Sequence, residues 1–379
     1  MPAIACQRNR FDLPPEVAYL NCAYMGPLSA AVLEAGRRGL DRKAQPWTIS
    51  PADFFDPVDE IRELFARLIG GDADGVAVIA AASYGIAVAA RNLELDRGSR
   101  IIALAEEFPS NVYAWLDLAE RSEGEVAFVH RPPDLDWTRV VLETIDERTS
   151  VVALPHCHWT DGGLIDLVKV GERARAVGAA LVVDATQSIG AMPFPLDEVR
   201  PDFLVTANYK WLLGPYASAL MWVAPERRDG CPLEFSWMTR AHSEDFPQLV
   251  HYTTSYRTGA RRYDVGETAN FALVPAVAAA LRQTLEWGID EIYTYIGALT
   301  DELADGVEAI GLSVAPAGLR SRHLVGVHLK GAPAEAIADA MASAGVHVSV
   351  RGDAVRVSPH VYNDAADIGR LVDVLRTTL

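Results

Sequence analysis

The chain has 379 residues, half of them hydrophobic and 22% charged, which is ample for a sizeable core and long for a single one. With 34 Lys and Arg against 51 Asp and Glu, the formal charge is −17, which argues against nucleic acid or an anionic membrane surface as a partner. The four cysteines (Cys6, Cys22, Cys157, Cys231) form no CxxC pair, the first residues carry no apolar signal core, and no apolar run approaches the roughly 18 residues of a membrane span; the expectation is a cytoplasmic protein with free thiols.

In chain order, residues 27–42 read as a helix after a turn, followed by a Pro- and Asp-rich stretch at 45–57. Seven short β-rich runs follow at 76–80, 100–104, 126–129, 150–154, 180–184, 202–206 and 219–223, with amphipathic segments such as 167–177 between several of them. Strands alternating with helices predict an α/β fold on a mostly parallel, doubly wound, seven-stranded sheet. Residues 224–265, rich in Trp, Tyr, His and Arg, read as irregular loop bordering a site. Residues 275–300 read as one long helix with Pro275 in its first turn. Strands are expected at 322–330, 346–350 and 354–357, and a closing helix at 365–379. The division this predicts is a large domain over 28–274, a smaller α+β domain over 275–379, and an N-terminal segment, 1–27, packing on the smaller one.

Several motifs sit at the ends of the predicted strands. Ala82-Ser83-Tyr84-Gly85 opens a helix after the first run, where free backbone N–H groups can hold a phosphate; it has neither GxGxxG nor a Walker signature. Phe108, just past the second run, can lie over an aromatic ring or staple the next helix. In Pro155-His156-Cys157-His158-Trp159, two histidines beside a cysteine invite a metal reading, but no further Cys/His cluster completes a set, and a polar aromatic pocket lining fits better. Asp184 ends the fifth run and is followed by Gln187; alone it reads equally as a helix cap. Lys210, in Asn208-Tyr209-Lys210-Trp211-Leu212-Leu213-Gly214-Pro215, follows the sixth run among aromatics. Desolvation there lowers a lysine pKa and leaves a nucleophilic amine. A strand-end lysine and a strand-end aspartate converging on one edge of a sheet suit pyridoxal phosphate, which needs a Schiff-base lysine and an anion at its pyridinium nitrogen. Arg356, mid-strand among apolar residues, needs an anion: a substrate carboxylate or a structural acid.

Taken together, Val183-Asp184-Ala185-Thr186-Gln187, Tyr209-Lys210-Trp211-Leu212-Leu213-Gly214-Pro215 and Arg356-Val357-Ser358-Pro359-His360-Val361-Tyr362-Asn363 resemble the class V aminotransferase family of fold-type I pyridoxal-phosphate enzymes, over nearly the whole chain from Tyr19 onward. That family includes cysteine desulfurases, kynureninase-like hydrolases and isopenicillin-N-epimerase-like proteins. The resemblance implies that Lys210 forms the Schiff base and moves the proton at the substrate Cα, Asp184 pairs with the ring nitrogen and Gln187 approaches the ring hydroxyl. Phe108, in place of a stacking histidine, covers the ring. Ser83, Tyr84 and Tyr209 hold the phosphate, and Thr268 reaches the phosphate of a neighbouring subunit in a homodimer. Arg356 binds the α-carboxylate, with Tyr24, His156 and Trp159 as further expected substrate contacts. Only Gly352-Asp353-Ala354-Val355 separates Arg351 from Arg356, leaving no cysteine-bearing mobile loop, which argues against persulfide-forming desulfurase chemistry. The expectation is an enzyme acting on an α-amino acid or close amine derivative after Cα deprotonation, of aminotransferase or lyase type. An epimerase or a non-catalytic relative of the same fold are the alternatives.

Overall fold

The computed structural model describes residues 4–329, 331 and 334–379. A short strand β1 (Ala18–Tyr19) precedes helices α1 (Ala30–Lys43) and α2 (Asp56–Ile69). The chain then alternates: β2 (Val76–Ile79), α3 (Ala82–Asn92), β3 (Arg100–Leu104), α4 (Tyr113–Arg121), β4 (Glu125–Val129), α5 (Trp137–Thr144), β5 (Thr149–Pro155), α6 (Leu167–Ala176), β6 (Ala180–Asp184), α7 (Leu196–Val199), β7 (Phe203–Ala207) and β8 (Ala219–Val223). Beyond lie α8 (Leu273–Trp287), α9 (Ile289–Glu308), β9 (Val325–His328), α10 (Ala334–Ser343), β10 (Val346–His347), β11 (Ser349–Arg351), β12 (Ala354–Val357) and α11 (Ala365–Thr378).

The seven expected runs form one sheet, in the order β2-β8-β7-β6-β5-β3-β4. Its pairs are parallel except those that β8 makes with β2 and β7. Val, Ile and Leu fill the inner strands because both faces are covered. Ala77, Ile79, Val151, Val182 and Val205 face α3 and α4, whose Ile86, Val88, Trp115 and Leu118 complete that layer. Val78, Val152, Leu154, Val183 and Leu204 face the other side, against α2, α5, α6 and α8. Helix starts are fixed by side-chain caps: Asp136 accepts from Arg139 N, Asp166 from Lys169 N and Asp364 from Ala366 N.

A smaller sheet, β11-β12-β9, is antiparallel, and its core is made with α9, α10 and α11. Strand β1 pairs in parallel with β10, carrying Ala18 and Leu20 into this second core. The single helix expected over 275–300 is two helices, because Gly288 adopts φ 79° and breaks the ladder between α8 and α9. Helix α8 packs under the large sheet through Val274, Val277 and Leu281, whereas α9 supplies Leu299, Leu303 and Val307 to the small core. Of the strand expected over 322–330, residues 325–328 pair, and Lys330 lies outside the described residues. Segment 224–265 is a series of short 3-10 turns, and none of its residues lines the cavity described below. It contributes a structural pair instead: Asp264 accepts from the buried Arg62 and from Val78 N, tying the segment to β2.

Candidate active site

The ends of the parallel strands and the start of α3 surround a cavity of about 310 Å³. Side chains alternate along a strand, so residues two places beyond the buried α3-side positions turn into it. Ala81 follows Ile79, Asp184 follows Val182, Ala207 follows Val205, and Pro155 and Cys157 follow Ala153.

Lys210 lies three residues past β7 and is buried, at 6% exposure. Its main chain is clamped: Gly26 N donates to the neighbouring Tyr209 carbonyl at 2.8 Å, and the Lys210 carbonyl accepts from Leu213 N at 3.1 Å and Cys22 Sγ at 3.5 Å. Leu213 (φ 52°) and Ala217 (φ 58°), around the turn that follows, both hold a left-handed backbone that non-glycine residues rarely adopt. The Lys210 Nζ stands 5.3 Å from the centroid of the Phe108 ring and 5.7 Å from that of Tyr209. Among the described residues it has no hydrogen bond or ion pair. Burial lowers its pKa to about 8, against the opposing pull of Asp184 and with the like charge of Arg356 adding to the drop. Asp184 accepts from Thr186 N at 2.9 Å. Burial pushes its carboxyl up, while Thr186 and Lys210 pull it back.

Ser83, Phe108, Trp159, Gln187 and Tyr209 also line the cavity. Ser83 is the second residue of α3, whose first N–H groups have no intrahelical partner. The Gln187 amide donates to Ala23 O at 3.2 Å and accepts from Trp211 Nε1 at 2.9 Å, which fixes its rotamer. Trp159 is pinned through Nε1 to Glu106 O at 2.7 Å and meets Phe108 edge to face at 5.5 Å. Arg356 is buried mid-strand in β12, outside the cavity lining; its Nη1 donates to Trp159 O at 2.9 Å, and its Nε has no partner among the described residues.

Other expected site residues lie elsewhere. His156 turns to the opposite side of the sheet, edge-on to Phe194, because the period-2 alternation that brings Cys157 into the cavity carries its neighbour out of it. Burial lowers the His156 pKa to about 3, so it is a neutral core histidine. The Tyr84 hydroxyl points to Asp264 O at 3.4 Å, and Tyr84 N donates to Ala81 O, so neither polar group of that residue faces the cavity. Thr268, expected at a neighbouring subunit's phosphate and not in this chain's own cavity, is buried outside that cavity, its hydroxyl donating to Val265 O at 2.6 Å. Tyr24 is exposed and stands near Arg351 rather than in the cavity wall.

The structure adds Glu107, Ser110, Cys157, Thr186, Tyr216 and Ser218 to the lining. Glu107 is the most consequential. Burial raises its pKa to about 8, with Asp184 adding to the rise and Asn111 and Lys210 opposing it. Of the pair Glu106-Glu107, only the fold tells which turns inward: Glu106 takes φ 58° and stays exposed, while Glu107 Oε1 caps Phe108 N at 2.5 Å.

A desolvated amine, a carboxylate, an aromatic wall and a helix start at the carboxyl edge of a parallel sheet define a site of the fold-type I pyridoxal-phosphate class. The chain belongs to the class V aminotransferases: the family model for Aminotransferase class-V matches residues 50–371. It is 27% identical over 318 residues to the uncharacterized aminotransferase YcbU of Bacillus subtilis (82% of this chain, 81% of that one). To isopenicillin N epimerase of Streptomyces clavuligerus it is 26% identical over 302 residues (78% and 75%). Its fold matches the apo cysteine desulfurase of Thermococcus onnurineus NA1 with a TM-score of 0.85 at 20% identity, covering 100% of this chain and 99% of that one. The family is pyridoxal-phosphate-dependent. The residues present fit that group: the Lys210 amine is neutral at mildly alkaline pH and unpaired among the described residues, Asp184 shares its cavity, Phe108 supplies a flat wall, and the start of α3 offers N–H groups to a phosphate.

Proposed function

We propose that this chain is a pyridoxal-phosphate enzyme that takes an α-amino acid, or a close amine derivative, through deprotonation at Cα to an aminotransferase- or lyase-type outcome. One observation carries the reading: a desolvated lysine amine, with no polar partner among the described residues, faces Phe108 in the same cavity as Asp184. Bound there, pyridoxal phosphate supplies a pyridinium ring that accepts the electron pair of a bond broken at Cα. Asp184 would hold the proton on the ring nitrogen, and the partial burial penalty on its carboxylate is relieved by that positive charge. Lys210 would hold the group through its amine and would be the base at Cα; a pKa of about 8 keeps a useful fraction of the free amine neutral near neutral pH. Arg356 would orient the α-carboxylate beside Trp159. Ser83 and the start of α3, with Tyr209, would take the phosphate.

Phe108 has no ionisable group, so that wall supplies no second base for a two-base epimerisation, and Lys210 and the protonable Glu107 are the proton carriers that the cavity offers. Thiol chemistry on the protein is also disfavoured. Cys157 and Cys22 are buried, which pushes both thiols up to about 12; Cys157 is held by Gln187 O, and the β11–β12 turn has no cysteine. A persulfide-forming desulfurase outcome is therefore not part of the proposal. A homodimer is: Phe235, Val250 and Tyr252 stand exposed on segment 224–265, a surface that a second copy would cover, and sedimentation at micromolar concentration tests it.

The purified protein should be yellow, and borohydride should leave a pyridoxyl group on Lys210 in peptide maps. A map with the group absent from Lys210 overturns the reading. Amino-acid panels scored for keto acid, ammonia and Cα epimerisation then identify the bond that is broken.

A further inference from the structure

The buried arginines of this chain are not alike. Arg62 is paired with Asp264 and Asp59, and Arg320 faces Asp301 at 3.9 Å. Arg356, equally buried, has no acid partner among the described residues, and neither does its neighbour Arg351. Among the described residues the Nε atoms of both are buried without a hydrogen-bond partner; Arg351 has only the preceding Val350 O for Nη1, and Arg356 only Trp159 O.

The hairpin register brings the two together. Arg351 pairs with Ala354 across the β11–β12 ladder, and Arg356 is two residues further along the same strand as Ala354. All three side chains therefore leave the same face of the hairpin, and the two arginines form a diagonal pair about 7–8 Å apart at Cα. Both reach Trp159, which lines the cofactor cavity: Arg356 bonds its carbonyl, and the Arg351 guanidinium stands 5.4 Å from its ring centroid. Burial and the like charge of Arg351 disfavour the charged form of Arg356, and guanidinium does not shed its proton to escape that cost. An α-carboxylate neutralises one of them and leaves the other, still partly desolvated, without a counter-charge.

We infer that the substrate carries a second carboxylate on its side chain, with Arg356 taking the α-carboxylate and Arg351 the distal one across the face of Trp159. The inference rests on the proposed function and narrows it to amino dicarboxylates. Planar guanidinium forks suit this, since each matches a carboxylate through two parallel hydrogen bonds.

The test is calorimetric binding to the holoenzyme, with L-glutamate against L-glutamine and L-aspartate against L-asparagine, in wild type and in Arg351→Gln and Arg351→Lys. At least one acid should bind about ten-fold or more tighter than its amide, a difference of about 1.4 kcal/mol. Arg351→Gln should reduce that preference to within about two-fold, Arg351→Lys should restore part of it, and added salt should weaken it. Acids and amides that bind alike to the wild type overturn the inference, as does an Arg351→Gln variant that weakens both equally. Borohydride trapping on the same preparations separates the two failures. A pyridoxyl group on Lys210 with no acid preference sinks this inference alone, whereas its absence sinks the parent reading.

Discussion

Gly26 lies directly against the main chain of Lys210: a Cβ at Gly26 would overlap the Lys210 carbonyl oxygen and would also stand 2.8 Å from Leu213 Cδ2. The N-terminal segment therefore sets the height of the lysine in the cavity, and Gly26 N fixes the adjoining carbonyl of Tyr209. Neither obstacle is a flexible side-chain end in open space, so the backbone around Lys210 must give. Gly26→Ala should shift the lysine and cost about 1–3 kcal/mol, the usual range for overpacking a closed site. The expected result is a folded protein with a lower melting temperature and a cofactor band that is reduced or displaced. Wild-type cofactor occupancy and spectrum in this variant would show that the contact does not position the lysine.

The lowered pKa of Lys210 has a sign that can be checked in the cofactor-free protein. Between about 8 and the ordinary 10.5, the unfolded chain keeps a proton that the native lysine has released, so this group's contribution to stability rises with pH across that window. Below about 8 both states are protonated and the full penalty of burying the ammonium is present. Denaturant unfolding of wild type and Lys210→Met at pH 7 and pH 10 should show the wild type gaining on the variant by about 2–3 kcal/mol. The rate of pyridoxal phosphate capture should likewise rise with pH and level off above about 8, because only the neutral amine attacks the aldehyde. A capture rate still climbing through pH 10 would mean that the lysine is not desolvated.

Much of this site could be read from residue order because strand-end positions obey a simple rule. The apolar runs before Asp184 and Lys210 fixed the sheet edge, and the fold delivers both residues to one cavity with Phe108. The same rule, applied one step further along β5, separates His156 from Cys157; the pair looked equivalent in the sequence only because neither face had yet been assigned. Tyr84 was harder to place. A tyrosine beside a serine at a helix start suggests phosphate contact, yet its orientation depends on Asp264, 180 residues away, which no local pattern connects to it. Arg351 was visible as a residue, but its lack of a counter-charge is a property of everything around it. Gly288 illustrates the reverse case, a local signal that was present and that the longer apolar periodicity of 275–300 masked.

Glu107 provides a second titration, opposite in sign. Its pKa is raised from an ordinary 4.5 to about 8, chiefly by burial, with the Asp184 carboxylate adding to the rise and the Phe108 N–H, Asn111 and Lys210 opposing it. Between those two values the native protein holds a proton that the unfolded chain has lost, so stability falls as pH rises through the window and the loss is complete above about 8. Glu107→Gln keeps the shape, and its amide carbonyl can still accept from Phe108 N, but it has nothing to titrate. The difference in unfolding free energy, variant minus wild type, should therefore grow with pH, by on the order of 3 kcal/mol between pH 5 and pH 8. A neutral Glu107 also leaves Asp184 as the anion of the cavity, so the variant should retain the cofactor band of the wild type near pH 7. A stability difference that is flat with pH would mean that Glu107 is ionised in the native protein, and two adjacent carboxylates would then have to share the charge of Lys210.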